Sequence, residues 1–312
     1  MTLAPEAERI VFPRISRITQ PPADTVAPQP GSLGDLMRLL GVPSTDFHDR
    51  DRMPVAMRRV RAGTTLVREG APLEFLYLVR DGSLKLERIR EDGYVQVLGV
   101  AGRADMIGFE AICPRRHSSS VIALEDSGVY VLPMHELDAL RARMPALDQG
   151  LQATLSAQMA RAADTVEVMS AVASEVRLAR FLILYSARMA QWGRSPSRFR
   201  LRLSRRDIAS LLGVAHETVS RSFGELIAWG YLQVDRREVE IVDPDGLADL
   251  ARNTRGLIRD RMASNGTRQA VAAAKANSRT KPAVGNGQAR GGTPPAMDPG
   301  YVPWPDWHGG AR

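Results

Sequence analysis

One segment, residues 203–221, constrains the fold of this chain more than any other. Two short runs with helical apolar spacing meet at Gly213, and each run carries its apolar residues on a single face. Those residues are Ile208, Leu211 and Leu212 in the first run and Val219, Phe223, Leu226 and Ile227 in the second run and its continuation. Burying the two faces against each other predicts a helix-turn-helix.

This packing leaves Glu217, Ser220 and Arg221 together on the outer face of the second helix. Their chemistry suits the edges of DNA bases. Glutamate can accept a hydrogen bond from cytosine, arginine can donate two hydrogen bonds to guanine, and serine can contact several bases. The turn at Gly213 and the hairpin that follows favour DNA binding over an ordinary solvated face. The residues predicted to contact the DNA backbone are Ser204, Arg205, Arg206, His216, Thr218, Arg236 and Arg237.

A β-hairpin is predicted directly after these helices. Gly230 ends the second helix, and residues 231–234 and 238–242 alternate polar and apolar side chains around the turn at 235–237. Residues 198–203 alternate in the same way upstream. A strand, two helices and a hairpin in this order make a winged helix, with two arginines at the tip of the wing.

Composition narrows the class of protein. The 312 residues suffice for about two domains, and a net charge of +7 with a pI of about 10.0 favours polyanionic partners. The single cysteine, Cys113, excludes an internal disulfide and any four-cysteine zinc or iron–sulfur site. No apolar run reaches the roughly 18 residues of a membrane span, and residues 1–20 lack the apolar core of a signal peptide. A cytoplasmic protein with no catalytic motif, and hence no enzymatic activity, is expected.

An α+β fold in five segments is predicted. Short apolar runs separated by glycines are typical of a β-roll, and a short helix capped by Ser32 precedes them. The segments are a flexible, Pro-rich arm at 1–31, the β-roll at 32–144, a long dimerisation helix at 145–171, the winged helix at 172–249 and a basic, mostly disordered tail at 250–312.

The long helix carries a repeat typical of a coiled coil. From Leu147 to Met169 the residues of one stripe follow a 4-4-3-4-3-4 spacing, with Gln158 and Thr165 as polar members. The predicted dimer seam consists of Leu147, Leu151, Leu155, Ala162 and Met169. An ordinary surface helix is the alternative. A parallel homodimer through this seam would supply the two-fold symmetry that an inverted DNA repeat requires.

These features together resemble the cyclic-AMP receptor protein and fumarate-nitrate regulator (CRP/FNR) family of bacterial transcription factors. Residues 102–112 resemble the effector-domain signature of that family, and residues 217–221 are similar to the E-x-x-S-R motif of its FNR branch. The resemblance implies a cyclic-nucleotide-binding-like roll and a homodimer that contacts RNA polymerase. It also implies that Glu217, Ser220 and Arg221 read a half-site of the TTGAT type in double-stranded DNA, repeated as an inverted palindrome.

Two departures from the family pattern bear on the effector. Iron–sulfur members use four cysteines, whereas residues 1–50 contain none here and Tyr130 stands at what resembles the fourth position. An iron–sulfur cluster is therefore not expected. Cyclic-nucleotide members use a glutamate and an Arg-Ser pair, where this chain has Asp105 and the pair His117-Ser118. Losing the guanidinium removes the strongest phosphate contact, which argues against cyclic AMP.

The nature of the effector stays open between a small ligand and a redox signal. The candidate effector pocket consists of Asp105, Gly108, His117 and Ser118, and His117 is also a candidate haem ligand. Cys113 lies beside cationic residues and is either a redox switch or an inert loop thiol. The alternative function is a constitutive architectural DNA-binding protein in which the roll is only a dimer scaffold.

Overall fold

A computed structural model describes residues 26–43 and 54–253. The predicted α+β fold is confirmed: a β-roll, a long helix and a winged helix follow one another along the chain. Across these described ranges, no helix combines the length and the apolarity that a membrane span needs. The predicted basic tail lies outside the described residues from position 254 onward, and so does the predicted arm up to position 25.

The β-roll is built from two antiparallel sheets. Within the described residues, one sheet has the strand order β1-β2-β9-β4-β7 and the other β3-β8-β5-β6. The strands are β1 (Val26–Ser32), β2 (Pro54–Val60), β3 (Thr65–Val67), β4 (Phe75–Asp81), β5 (Ser83–Ile89), β6 (Val95–Gly102), β7 (Met106–Ile107), β8 (Ser120–Ala123) and β9 (Ser127–Pro133). The strands β4, β5, β6, β8 and β9 confirm predicted runs, whereas β3 and β7 are too short to show a period.

The prediction of a structureless arm up to residue 31 was wrong at its end. Residues 26–32 form β1, which pairs antiparallel with β2 in a register that places Gly31 opposite Val55. Gly31 lies against the buried ring of Tyr130, since a Cβ at Gly31 would come within 2.3 Å of Tyr130 Cε1. The pairing depends on a distant strand, so the local composition of the arm gives no sign of it.

Strand β4 has both of its faces buried over residues 76–79. Alternate side chains point to opposite faces of a strand, and here Leu76 and Leu78 join a cluster with the helices while Tyr77 and Val79 join the cluster between the sheets. The helices on that outer side are α1 (Leu33–Leu39), α2 (Met134–Arg143) and the start of α3 (Pro145–Ser170). As predicted, Ser32 caps α1 by accepting a hydrogen bond from the backbone N–H of Asp35 at 3.0 Å.

Helix α3 has two stripes of residues with heptad spacing, and one of them faces its own protomer. Leu147 and Leu151 are only 1% and 5% exposed and belong to the core of the roll. Further along this stripe, Gln158 donates to the backbone carbonyl of Met106 at 2.8 Å. The prediction that Leu147 and Leu151 belong to a dimer seam is therefore corrected, because both side chains are already covered within the protomer.

The second stripe of α3 is open to solvent. Leu155, Ala162 and Met169 from the predicted seam lie on it and are exposed. Two further members, Met159 and Val166, are 67% and 71% exposed. Together these five residues follow a 4-3-4-3 spacing, which is the repeat of a coiled-coil seam. We call them the α3 stripe.

The C-terminal unit is a winged helix with one continuous core. It consists of α4 (Ser174–Gln191), β10 (Arg198–Arg200), α5 (Arg205–Leu212), α6 (His216–Ala228), β11 (Leu232–Asp235), β12 (Glu238–Ile241) and α7 (Pro244–Ala251). The three strands form an antiparallel sheet in the order β10-β12-β11, which confirms the predicted wing and the predicted third strand. Helix α7 was not predicted, although Asp243 caps it by accepting from the N–H of Gly246 at 2.9 Å.

Candidate nucleic-acid interface

Local sequence explains the shape of the helix-turn-helix. Ser204 and Asp207 form a capping box at the start of α5: Ser204 Oγ accepts from the N–H of Asp207, and the Asp207 carboxylate accepts from the N–H of Ser204 at 2.9 Å. Gly213 ends the helix with φ = 63°, a left-handed conformation that glycine adopts without strain. Helix α6 follows after Ala215, which offers no side-chain cap.

Helix α6 separates its core side from its outer side as the sequence predicts. Val219 and Phe223 are buried against α4 and α5, whereas Glu217, Ser220 and Arg221 are exposed. The backbone N–H of Glu217 and the neighbouring His216 lower the pKa of the Glu217 carboxyl. It is therefore ionised at neutral pH and can only accept hydrogen bonds. The exposed face thus offers an acceptor, a hydroxyl and a forked donor within about one helical turn.

A basic cleft lies between the start of α5 and the wing. It has a volume of about 200 Å³ and presents three guanidinium groups. The lining residues are Leu201, Leu203, Ser204, Arg205, Arg236, Arg237 and Val239. No carboxylate is among them, so the cleft suits an anion such as a phosphate oxygen.

The Arg205 side chain is held in the cleft by an aromatic ring. Its Cζ atom lies 3.2 Å from the centroid of the Phe223 ring, in a cation–π arrangement. Burial lowers the pKa of Arg205 to about 10, and the group stays protonated at neutral pH. Arg205 is therefore a positioned, half-buried cation. Of the other residues predicted to contact the DNA backbone, Arg206, His216, Arg236 and Arg237 are exposed, while Ser204 and Thr218 are half-buried.

Comparison with known proteins identifies the two units. The family model for the cyclic nucleotide-binding domain matches residues 57–144, and the model for the Crp-like helix-turn-helix domain matches residues 176–250. The transcriptional regulatory protein btr of Bordetella pertussis is 34% identical over 218 residues, which cover 70% of this chain and 90% of that protein. The chain belongs to the CRP/FNR family of transcription regulators.

A second relative agrees with this assignment, and a solved structure shares the fold. The fumarate and nitrate reduction regulatory protein of Escherichia coli K12 is 36% identical over 222 residues, covering 70% of this chain and 89% of that protein. The fold matches the solved structure of FixK2 from Bradyrhizobium japonicum with a TM-score of 0.56 at 24% identity, over 63% of this chain and 96% of that one. The btr relative is named a transcriptional regulatory protein, and the CRP/FNR family consists of transcription regulators rather than enzymes, which confirms the prediction that the chain is not an enzyme.

In this CRP/FNR-family regulator, Asp105 of the candidate effector pocket faces two arginines. Arg161 of α3 donates to Asp105 Oδ1 at 2.7 Å, and Arg188 of α4 donates to Oδ2. The backbone N–H of Gly102 donates to the same carboxylate at 2.8 Å. The Asp105 carboxylate is buried, and its two arginine partners connect the roll with both α3 and α4.

Two of the other candidate effector residues, Gly108 and His117, contact Glu110, which sequence reasoning missed. His117 is buried, and its Nδ1 lies 3.1 Å from Glu110 Oε1, while the N–H of Gly108 donates to Glu110 Oε2 at 3.1 Å. Burial alone would raise the pKa of the Glu110 carboxyl, but the hydrogen bonds outweigh it and lower the pKa. Gly108 has φ = 107° and lies tightly against Leu76. The structure thus joins Gly108 and His117 through Glu110, whereas Asp105 is engaged elsewhere.

Within residues 26–43 and 54–253, the side chains form neither a metal centre nor a cluster site. The backbone carbonyl of Ser118 accepts a hydrogen bond from Arg88 Nε at 2.7 Å. The thiol of Cys113 is exposed. No group of three or more His, Cys, Asp or Glu side chains among the described residues is arranged to hold a metal ion. An iron–sulfur cluster of the four-thiolate type does not fit this chain, because it contains one cysteine.

Proposed function

We propose that this CRP/FNR regulator is a homodimer that binds an inverted repeat of TTGAT-type half-sites in double-stranded DNA. The observation that carries this proposal is the exposed face of α6 with Glu217, Ser220 and Arg221, in a domain that also has a basic cleft between α5 and the wing. Base-edge contacts give sequence preference and phosphate contacts give register. A face that has both is suited to a specific site rather than to any polyanion.

Each group on this face has an assigned role. Glu217 accepts from a cytosine amino group, Arg221 donates to the two acceptors of a guanine, and Ser220 contacts a neighbouring base. The basic cleft takes a phosphate group between α5 and the wing. The residues assigned to the DNA backbone are Ser204, Arg205, Arg206, His216, Thr218, Arg236 and Arg237.

The homodimer forms through the α3 stripe. This role is supported by five apolar residues that are exposed in the protomer and have the spacing of a coiled-coil seam. A parallel pair of α3 helices relates the two winged helices by a two-fold axis, as an inverted repeat requires. The stripe consists of Leu155, Met159, Ala162, Val166 and Met169.

The domain roles follow from this arrangement. Residues 32–144 respond to a small ligand or a redox signal, residues 145–171 join the protomers, and residues 172–249 bind DNA. The regulator acts in the cytoplasm, where it meets DNA and contacts RNA polymerase. Its effector differs from the cluster of an iron–sulfur sensor, because the required thiolates are missing.

Arg221→Ala is expected to weaken binding to the inverted repeat by about 5- to 150-fold, which corresponds to about 1–3 kcal/mol for a bidentate guanine contact. Binding to a random duplex should change little. Fluorescence anisotropy at one fixed salt concentration measures both affinities.

Arg221→Lys is the matched variant, because lysine keeps the positive charge and loses the planar fork. If Arg221 contacts a guanine, both variants should lose affinity for the inverted repeat. If lysine restores full affinity, or if random and specific duplexes lose equally, Arg221 contacts a phosphate and the assignment is wrong. A wild-type protein that binds both duplexes equally would instead indicate an architectural DNA-binding protein.

A further inference from the structure

Helix α5, the first helix of the helix-turn-helix, lies against β6 of the roll, and Ser210 is at the centre of this contact. The Ser210 side chain is buried, and its hydroxyl accepts from the N–H of Val97 at 2.8 Å while donating to the carbonyl of Val95 at 2.8 Å. The side chain of Gln96 donates to the Ser210 carbonyl at 2.7 Å. Both the donor and the acceptor capacity of the hydroxyl are thus used across the two domains.

An ion pair supports the same contact at the start of α5. Lys85 Nζ of β5 lies 2.7 Å from Asp207 Oδ1 and 2.8 Å from Glu87 Oε2. Burial alone would lower the pKa of Lys85, but hydrogen bonds to the two carboxylates outweigh it and raise the pKa. Burial would raise the pKa of Asp207, and the bonds from Lys85 and Ser204 lower it instead. Asp207 therefore takes part in the capping box of α5 and in the ion pair with Lys85 of the roll.

Apolar packing continues the interface on both sides of these polar contacts. Val97 of β6 belongs to the core of the winged helix rather than to that of the roll. The Trp192 ring, at the end of α4, lies on Gly102 so closely that a Cβ there would come within 2.2 Å of it. The interface therefore joins α5 and the end of α4 in the winged helix to β5 and β6 in the roll.

This contact leaves the proposed DNA-binding face open. Glu217, Ser220, Arg221 and Arg206 remain exposed while α5 is packed against the roll. Because α6 follows α5 through the single left-handed turn at Gly213, the position of α5 sets the direction of α6. The interface is therefore compatible with DNA binding and determines where the reading helix points.

We propose that Lys85 and Ser210 are positioning residues for DNA recognition. They hold α5 on the β5–β6 hairpin and so fix the angle between the recognition helix and the rest of the protomer. In a dimer, this angle sets the distance between the two recognition helices and thereby the spacing of half-sites that can be bound together. The inference rests on the proposed binding to an inverted repeat.

The contact itself is tested without DNA, by hydrogen exchange of the full-length chain. Lys85→Ala is expected to accelerate exchange about tenfold in the peptides that contain Val97 and Ser210, because a charge-assisted hydrogen bond across the interface is lost. Lys85→Arg retains the cation and should restore protection. Arg88→Ala is the matched control, since Arg88 lies on the same strand but donates to Ser118 within the roll.

The role in recognition is tested with two duplexes, the inverted repeat and a single half-site. Lys85→Ala should bind the inverted repeat about tenfold more weakly and bind the half-site like the wild type, and Lys85→Arg should restore binding. Three results would overturn the proposal. They are unchanged hydrogen exchange in Lys85→Ala, an equal loss of affinity for both duplexes, and tighter binding of Lys85→Ala to the inverted repeat. If wild-type protein does not prefer the inverted repeat to the half-site, the proposed function fails, while the exchange result still decides whether the contact holds α5.

Discussion

Met159→Asp is expected to convert the proposed homodimer into monomers at micromolar concentration. Met159 is 67% exposed in the protomer, so the substitution leaves the folded protomer intact. In a parallel pair of α3 helices the two new carboxylates would face each other in an apolar seam. Burying unpaired charge costs several kcal/mol, and each 1.4 kcal/mol weakens association about tenfold.

Sedimentation velocity measures the oligomeric state, and circular dichroism confirms that the variant is folded. Ala157→Asp is the matched control, because it places the same charge on an exposed position of the same helix outside the α3 stripe. That variant should remain a dimer. A folded Met159→Asp protein that still sediments as a dimer would show that the protomers associate through another surface.

Asp105→Ala is expected to lower the free energy of unfolding by about 3 kcal/mol, because removing one partner of a buried ion pair leaves the other charge uncompensated. Here two guanidinium groups lose their carboxylate at once. Arg161 and Arg188 are 28% and 17% exposed, so water can only partly replace the lost partner. Three segments, the roll, α3 and α4, would lose their common contact.

Urea denaturation followed by tryptophan fluorescence measures the effect. Asp81→Ala is the control, since Asp81 pairs with Arg59 at 2.9 Å and both side chains are about 40% exposed. Exposed pairs of this kind contribute less than about 1 kcal/mol. Equal destabilisation by the two substitutions would mean that the Asp105 cluster does not stabilise the fold beyond an ordinary surface pair.

The winged helix was predictable because its signals are local. The capping residue Ser204, the turn at Gly213 and the apolar faces of α5 and α6 all act within about one or two helical turns, where sequence spacing translates directly into geometry. The exposed trio on α6 follows from the same periodicity. The polarity of that face could be predicted, whereas the cation–π contact of Arg205 with Phe223 depends on how the two helices pack.

The dimer seam could be predicted only in part, because α3 carries two stripes with the same repeat. Periodicity identifies apolar positions but does not say whether a face meets its own roll or a partner. Leu147 and Leu151 therefore entered the prediction although they face the roll. Met159 and Val166 were missed, even though their 4-3-4-3 spacing with Leu155, Ala162 and Met169 is visible in the sequence.

Contacts between the domains leave no local signal. Asp105 meets Arg161 and Arg188 at separations of 56 and 83 residues, and Lys85 meets Asp207 at a separation of 122. Sequence reasoning could single out Asp105 as a notable residue of the signature segment. Only the packed structure shows that its charge is used between the roll and two helices.

The position of Arg205 on the ring of Phe223 links the interior of the winged helix to its surface chemistry. Phe223 is buried in the core, yet its ring holds a cation of the basic cleft in place. A genetic screen for loss of repression or activation would therefore recover Phe223 alongside the surface arginines. Such an allele would resemble a substitution of a surface arginine, although Phe223 lies in the core of the winged helix.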